Sequence, residues 1–299
     1  MDFKLKHVTI DKLFGYKKFD CDFGDVNILG GTNGSGKTTI LKCCYYLIKE
    51  GKLPVSNLED VVGSLQITFA NGWTLYWEKV GGVQNVELKD VEGNIQVLEV
   101  LQNATKTYLA ASFEQYISEA IRIYAVYGAT SKSTDITYLD TLIEDQLNIR
   151  NKKFAGSMSA VLSLLQNKQE GNVIKPADFQ QYMSLYMVLN KFFKDYGIGI
   201  SADLTFSRGK ENIPYQRLSM GEKQLLYIML LASNASDESA ILFLDEPDLG
   251  MHIGWKEQLV KALVQLAPKA QFVISTHAPS LIKGWRECVK EMSHLVQEA

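Results

Sequence analysis

The chain has 299 residues, of which 46% are hydrophobic and 22% charged, and it carries a formal net charge of −3. That length can bury a full core as one large domain or two, and the slight acidity excludes a surface given over to coating nucleic acid while leaving room for a local basic patch. No run approaches the ~18 uninterrupted apolar residues of a membrane span. Lys4, Lys6, Asp11, Lys12, Lys17 and Lys18 break any apolar leader, so a cytoplasmic protein with no membrane partner is expected.

Asp25 to Gly30 reads as a buried strand, and Lys37 to Glu50 as a helix that stops at Gly51. Between them lies Gly31-Thr-Asn33-Gly34-Ser35-Gly36-Lys37-Thr38-Thr39, the strand-to-helix setting of a phosphate-binding loop. Glycines let backbone N–H groups approach phosphate oxygens, and the helix start adds its positive dipole end. Lys37 is placed to reach the β- and γ-phosphates, and the Thr38 hydroxyl to ligate Mg²⁺, so ATP with Mg²⁺ is the expected cofactor pair. The cysteines Cys21, Cys43, Cys44 and Cys288 have no metal-ligand or disulfide-framework spacing and read as small hydrophobes.

Ser64–Phe69 and Thr74–Val80, joined through Asn71-Gly72, predict a hairpin, and Val83–Lys89 and Ile95–Val100 continue it as a meander. From Glu99 to about Gly197 the pattern turns helical. Phe179, Tyr182, Tyr186, Leu189 and Phe193 recur at steps of three and four and give one apolar face. That face serves either its own domain or a docked partner, and packing on its own domain is the expectation. There are no sustained heptads, and Gly156, Gly171 and Pro176 interrupt the pattern, so a compact lobe is expected rather than a long coiled coil.

Leu218-Ser219-Met-Gly221-Glu222-Lys-Gln224 opens an apolar helix, with Ser219 as N-cap and Glu222 completing a capping box. Ala240-Ile-Leu-Phe-Leu-Asp245-Glu246 reads as a central parallel strand delivering carboxylates at its C-terminal edge, and Pro247 stops it. Asp245 is placed to hold Mg²⁺, and Glu246 to polarise an attacking water as general base. A second buried strand, Gln271-Phe-Val-Ile-Ser-Thr-His277, ends in Ser-Thr-His, and its His277 is placed to hydrogen-bond a γ-phosphate or that water.

In this order the four pieces closely resemble the ATP-binding-cassette (ABC) ATPases. The resemblance implies a P-loop α/β fold of ABC-ATPase type, with a mixed sheet core, an antiparallel β meander and a helical insertion lobe. It divides the chain into 1–98 with the phosphate loop and meander, 99–197 as the lobe, and 198–299 with the signature, the second acidic strand and the switch histidine. It makes Gly31, Asn33, Gly34, Ser35, Gly36, Lys37, Thr38 and Thr39 the residues that bind the nucleotide. Ser219 and Gly221 match the signature that meets the γ-phosphate held by an opposite subunit, which implies a head-to-tail homodimer around two ATP molecules, with a larger assembly left open.

Asp245-Glu-Pro-Asp-Leu-Gly-Met-His252 and Ser275-Thr-His-Ala-Pro-Ser-Leu-Ile282 look like the Rad50/SMC-like branch, and more narrowly like its short OLD-like and AAA15/AAA21-type ATP-binding proteins. Phe3 to Phe19 fits as two strands joined by a turn at Phe14–Tyr16, a turn the resemblance places against the adenine. The signature here reads Ser-Met-Gly rather than Ser-Gly-Gly, and Gly250 stands where a bulkier residue is common. The glutamine that completes the Mg²⁺ site in this family is unassigned between Gln115 and Gln146. The chain runs only to Ala299 beyond His277, so a C-terminal nuclease domain is not expected. The resemblance implies a slow ATPase that switches a separately encoded effector such as a nuclease, as in bacterial anti-phage modules. A Rad50/SMC-like ATPase that itself clamps DNA and a transporter's ATP-binding subunit are the alternatives.

Overall fold

The computed structural model describes residues 2–54, 58–110, 137–155, 176–236 and 239–298. In chain order the first elements are β1 (Leu5–Leu13), β2 (Lys17–Asp22), β3 (Val26–Gly30), α1 (Lys37–Glu50), β4 (Ser64–Phe69), β5 (Thr74–Val80), β6 (Val83–Lys89), β7 (Ile95–Gln96), α2 (Leu98–Ala104) and β8 (Lys106–Ala110). Next come α3 (Tyr138–Lys153), α4 (Pro176–Phe193), β9 (Ile198–Ile200), β10 (Phe206–Arg208), β11 (Glu211–Ile213) and α5 (Met220–Asn234). The last are β12 (Ala240–Asp245), α6 (Ile253–Leu266), β13 (Gln271–Thr276), α7 (Pro279–Ile282), β14 (Val289–Glu291), α8 (Met292–Leu295) and β15 (Val296–Glu298). They form two units: Met1–Ser112 with Asp237–Pro247 and Lys269–Ala299, and Phe113–Ser236 with Asp248–Pro268.

The first unit holds two sheets. A seven-stranded sheet runs β15-β2-β1-β4-β5-β6-β7 with antiparallel pairing throughout. Alternation fixes its buried face: Val8 and Ile10 of β1, Leu65 and Ile67 of β4, and Leu75 and Trp77 of β5 all point inward. A five-stranded sheet runs β14-β3-β13-β12-β8, all parallel. Two of its three inner strands, β12 and β13, are buried along their whole length, as strands covered on both faces must be. Helix α1 shares one hydrophobic core with both sheets, its Ile40, Leu41 and Leu47 belonging to the same buried cluster as Ile67, Trp77, Ile241 and Phe243.

Two expectations fail in this unit. Ile95–Val100 continues the meander only through Ile95–Gln96, and Leu98–Ala104 is a helix. Leu101 of that helix is fully buried and Gln102 donates to the Lys49 carbonyl at 3.0 Å, so packing overrides the β-branched composition. Lys106–Ala110, inside the stretch expected to be helical, is the strand β8 paired in parallel with β12.

The second unit is helical around α5, buried without interruption from Lys223 to Asn234, and carries a three-stranded sheet β11-β10-β9. On α4, Tyr182, Leu189 and Phe193 are buried as the periodicity predicts, joined by Leu185, Val188 and Phe192. Tyr186 is only half-buried, and Phe179 packs against Phe154 and Tyr182. The breaks at Gly156 and Gly171 lie outside the described residues.

Candidate nucleotide and signature sites

The phosphate loop spans the gap between β3 and α1. Gly34 and Gly36 adopt φ of +76° and +98°, left-handed values that a side chain resists. A Cβ on Gly36 would stand 3.2 Å from the Phe14 ring, so the β1–β2 turn lies directly against the loop. No side chain caps the start of α1, and its first N–H groups are the donors an anion would take. Lys37 is buried, and its Nζ donates to the carbonyls of Gly31 at 3.0 Å and Thr32 at 2.9 Å, with Ser35 Oγ at 3.4 Å. Burial pushes the Lys37 ammonium below the usual lysine range, and Glu246 and Asp245 oppose that. Asn33 is exposed and Thr39 half-buried.

The parallel ladder places Asp245 opposite Ser275 at the C-terminal edge of β12 and β13. Ser275 Oγ donates to Asp245 Oδ1 at 2.6 Å, and Thr38 Oγ1 donates to the same oxygen at 2.8 Å. Asp245 Oδ2 is buried with no hydrogen-bond partner. The Glu246 N–H donates to Ser275 O and Oγ, each at 3.1 Å, and Glu246 itself takes φ +47°. A non-glycine residue held there is strained by about 1–3 kcal/mol. His277 Nε2 sits 3.2 Å from Glu246 Oε1, with both side chains about one-third exposed. Thr38, Asp245, Glu246 and His277 are thus brought together by Ser275 and the β12–β13 edge. Ser275 is the residue the sequence reading missed, although it stands in the Ser-Thr-His run.

This donor set fits Mg²⁺. The ion prefers hard oxygens and keeps waters and phosphate oxygens as most of its ligands, so one hydroxyl and one carboxylate suffice. The orphaned Asp245 Oδ2 beside Thr38 is the buried acceptor such an ion would satisfy.

The second unit contains the run expected to be the signature, Leu218 to Gln224. Ser219 and Glu222 form the expected capping box, with Ser219 N donating to Glu222 Oε2 at 2.6 Å and Glu222 N donating to Ser219 Oγ at 3.4 Å. Arg208 Nη2 grips the two Glu222 oxygens at 3.1 and 2.9 Å. A Cβ on Gly221 would fall 2.3 Å from the Gly250 carbonyl oxygen, so that backbone approach admits only glycine. Lys223, which follows Glu222, is buried against Asp140 of α3 at 2.7 Å. Gln146 accepts from Asn234 Nδ2 at 3.0 Å in this unit, and Gln115 lies outside the described residues.

A phosphate loop, a strand ending in Asp245-Glu246 and a capped signature helix define an ABC-like P-loop ATPase. The solved SMC head bound to the C-winged helix domain of ScpA shares this fold, with a TM-score of 0.57 over 93% of this chain and 91% of that one at 13% identity. More particularly, the chain belongs to the AAA_21 family, described as "AAA domain, putative AbiEii toxin, Type IV TA system", which matches residues 75–283. That span holds the signature, the acidic strand and His277, and begins beyond the phosphate loop. The chain is 21% identical to the Septu protein PtuA of Bacillus thuringiensis, over 94% of this chain and 73% of that protein. It is 28% identical to the "Retron Vc95 probable ATPase" of Vibrio cholerae serotype O1 biovar El Tor, over 91% of this chain and 69% of that protein. Among the described residues no helix is long and apolar enough to cross a membrane.

Proposed function

We propose that the chain binds and slowly hydrolyses ATP with Mg²⁺, closes as a head-to-tail homodimer around two nucleotides, and through that closure switches a separately encoded effector. The observation that carries the reading is the convergence of Thr38, Asp245, Ser275, Glu246 and His277 beside a phosphate loop. Backbone N–H groups of Gly31 to Thr39 and the Lys37 ammonium receive the phosphates, exchanging the carbonyls Lys37 now contacts for charged oxygens. Thr38 and Asp245 would hold Mg²⁺, whose charge when bound would offset that of the phosphates. Glu246 takes a proton from the attacking water as general base, and His277 orients the Glu246 carboxylate. Ser275 fixes Asp245 and the backbone of Glu246 together, so the two carboxylates keep separate tasks.

Ser219 and Gly221 of one copy meet the γ-phosphate held by the other, so neither copy is complete alone. The likeness to a Septu protein and to a retron ATPase supports an effector, such as a nuclease, in an anti-phage module. The resemblance of the Asp245–His252 and Ser275–Ile282 runs to the Rad50/SMC-like branch favours one second reading, a DNA clamp, which would bind duplex DNA tightly even at high salt.

Mixing tests the shared site. Ser219→Arg and Lys37→Ala should each be nearly inactive. A mixture should regain about a quarter of the wild-type rate, because half the dimers are mixed and each keeps one whole site of two. No recovery at any ratio, with turnover per molecule independent of protein concentration, would refute it.

A further inference from the structure

We propose that Asp140 is a positioning residue for the signature, acting through Lys223. The inference rests on the reading above, in which the signature meets the nucleotide of a second copy. Lys223 is the fourth residue of α5, where a cation opposes the helix dipole, and its side chain is only 6% exposed. A buried ammonium at the positive end of a helix needs a compensating anion. Asp140, 1% exposed, supplies it at 2.7 Å.

Asp140 is itself the third residue of α3. Its Oδ2 accepts from Thr137 N at 2.8 Å and Thr137 Oγ1 at 2.7 Å, completing a capping box. One carboxylate therefore fastens two helix N-termini, that of α3 and that of the signature helix. Tyr215, just before the signature, also reaches the Asp140 carbonyl at 3.4 Å. The clasp on the other side of the signature, Arg208 to Glu222, has its arginine 51% exposed, so solvent screens it. The stiff attachment is the buried one.

The consequence is directional. The N–H groups and hydroxyl at Ser219 and Gly221 must meet a phosphate within a fraction of an ångström. Their placement is set by α3, so whatever shifts α3 shifts the half-site offered to the second copy. Asp140 touches no nucleotide. Its effect should appear in turnover at saturating ATP and not in the affinity of the copy's own phosphate loop.

The test uses the neutral pair Asp140→Asn with Lys223→Met, which keeps shape and removes both charges, so that neither is left buried alone. It is compared with Asp140→Asn alone and with the wild type. The neutral pair should melt within a few degrees of the wild type, bind ATP within about twofold of its affinity by calorimetry, and show kcat reduced about tenfold. A folded neutral pair with kcat within about twofold of the wild type would overturn the proposal. Failure of the neutral pair to fold would overturn it too, because the link would then serve the fold rather than the site. The shared-site reading fails separately: wild-type turnover per molecule would then not depend on protein concentration. If only this inference fails, that dependence survives in the wild type and the neutral pair alike.

Discussion

The two candidate sites are built on opposite electrostatic plans. At the phosphate loop the charges are left for something else to satisfy. Lys37 points its donors at backbone carbonyls, Asp245 Oδ2 is buried without a partner, and Glu246 sits in a strained left-handed conformation. At the signature the fold has already neutralised its charges: Glu222 with Arg208, Lys223 with Asp140, and Asp248 with Lys256 at 3.0 Å. What remains there for a ligand is backbone, the Ser219 hydroxyl and the helix start. The first site leaves a buried carboxylate oxygen without a partner, and the second has its charged side chains already paired.

The sharpest break in that contrast is Glu246→Gln. The amide keeps the size and backbone of the residue but cannot take a proton. Hydrolysis should fall about 10²–10⁴-fold while ATP binding persists, leaving an ATP-bound dimer visible by light scattering. Wild-type turnover would remove Glu246 from the role of base. A smaller effect is expected at the preformed site from Gly221→Ala. Its methyl group would collide with the Gly250 carbonyl, and the urea midpoint should drop by the equivalent of about 1–3 kcal/mol. An unmoved midpoint would mean that the approach is soft.

The smallest effect reads the unsatisfied charge directly. The folded pKa of Lys37 is lowered by burial, so between that value and the unfolded one the unfolded chain binds more protons and stability rises with pH. Bound phosphate restores the charged form. At alkaline pH, ATP binding should therefore take up a fraction of a proton, seen as a buffer-dependent heat in calorimetry that vanishes at neutral pH. Heats that do not depend on the buffer at alkaline pH would show that Lys37 stays fully charged without nucleotide.

What could be read from the sequence follows burial. Strands β3, β12 and β13 are covered on both faces, so their apolar runs stand out, and the phosphate loop and both carboxylates are placed by them. The capping box at Ser219 is likewise local and readable. Strand β8 is not, because among the described residues it lies at the sheet edge and mixes Lys106, Thr107 and Tyr108 with its apolar positions. Ser275 becomes a partner of Asp245 only through strand register across thirty residues. Asp140 and Lys223 are eighty-three residues apart, and no spacing rule joins them.

The sheet order also sets a timetable. Strand β3, which launches the phosphate loop, has as its neighbours β13 and β14, formed from residues 271–276 and 289–291. During synthesis at roughly 5–20 residues per second, the loop leaves the ribosome tens of seconds before the strands that flank it exist. A nascent chain stalled before Gln271 should therefore carry the whole loop sequence and hold no ATP. Competence for nucleotide should therefore arrive late, once β13 and β14 have paired with β3.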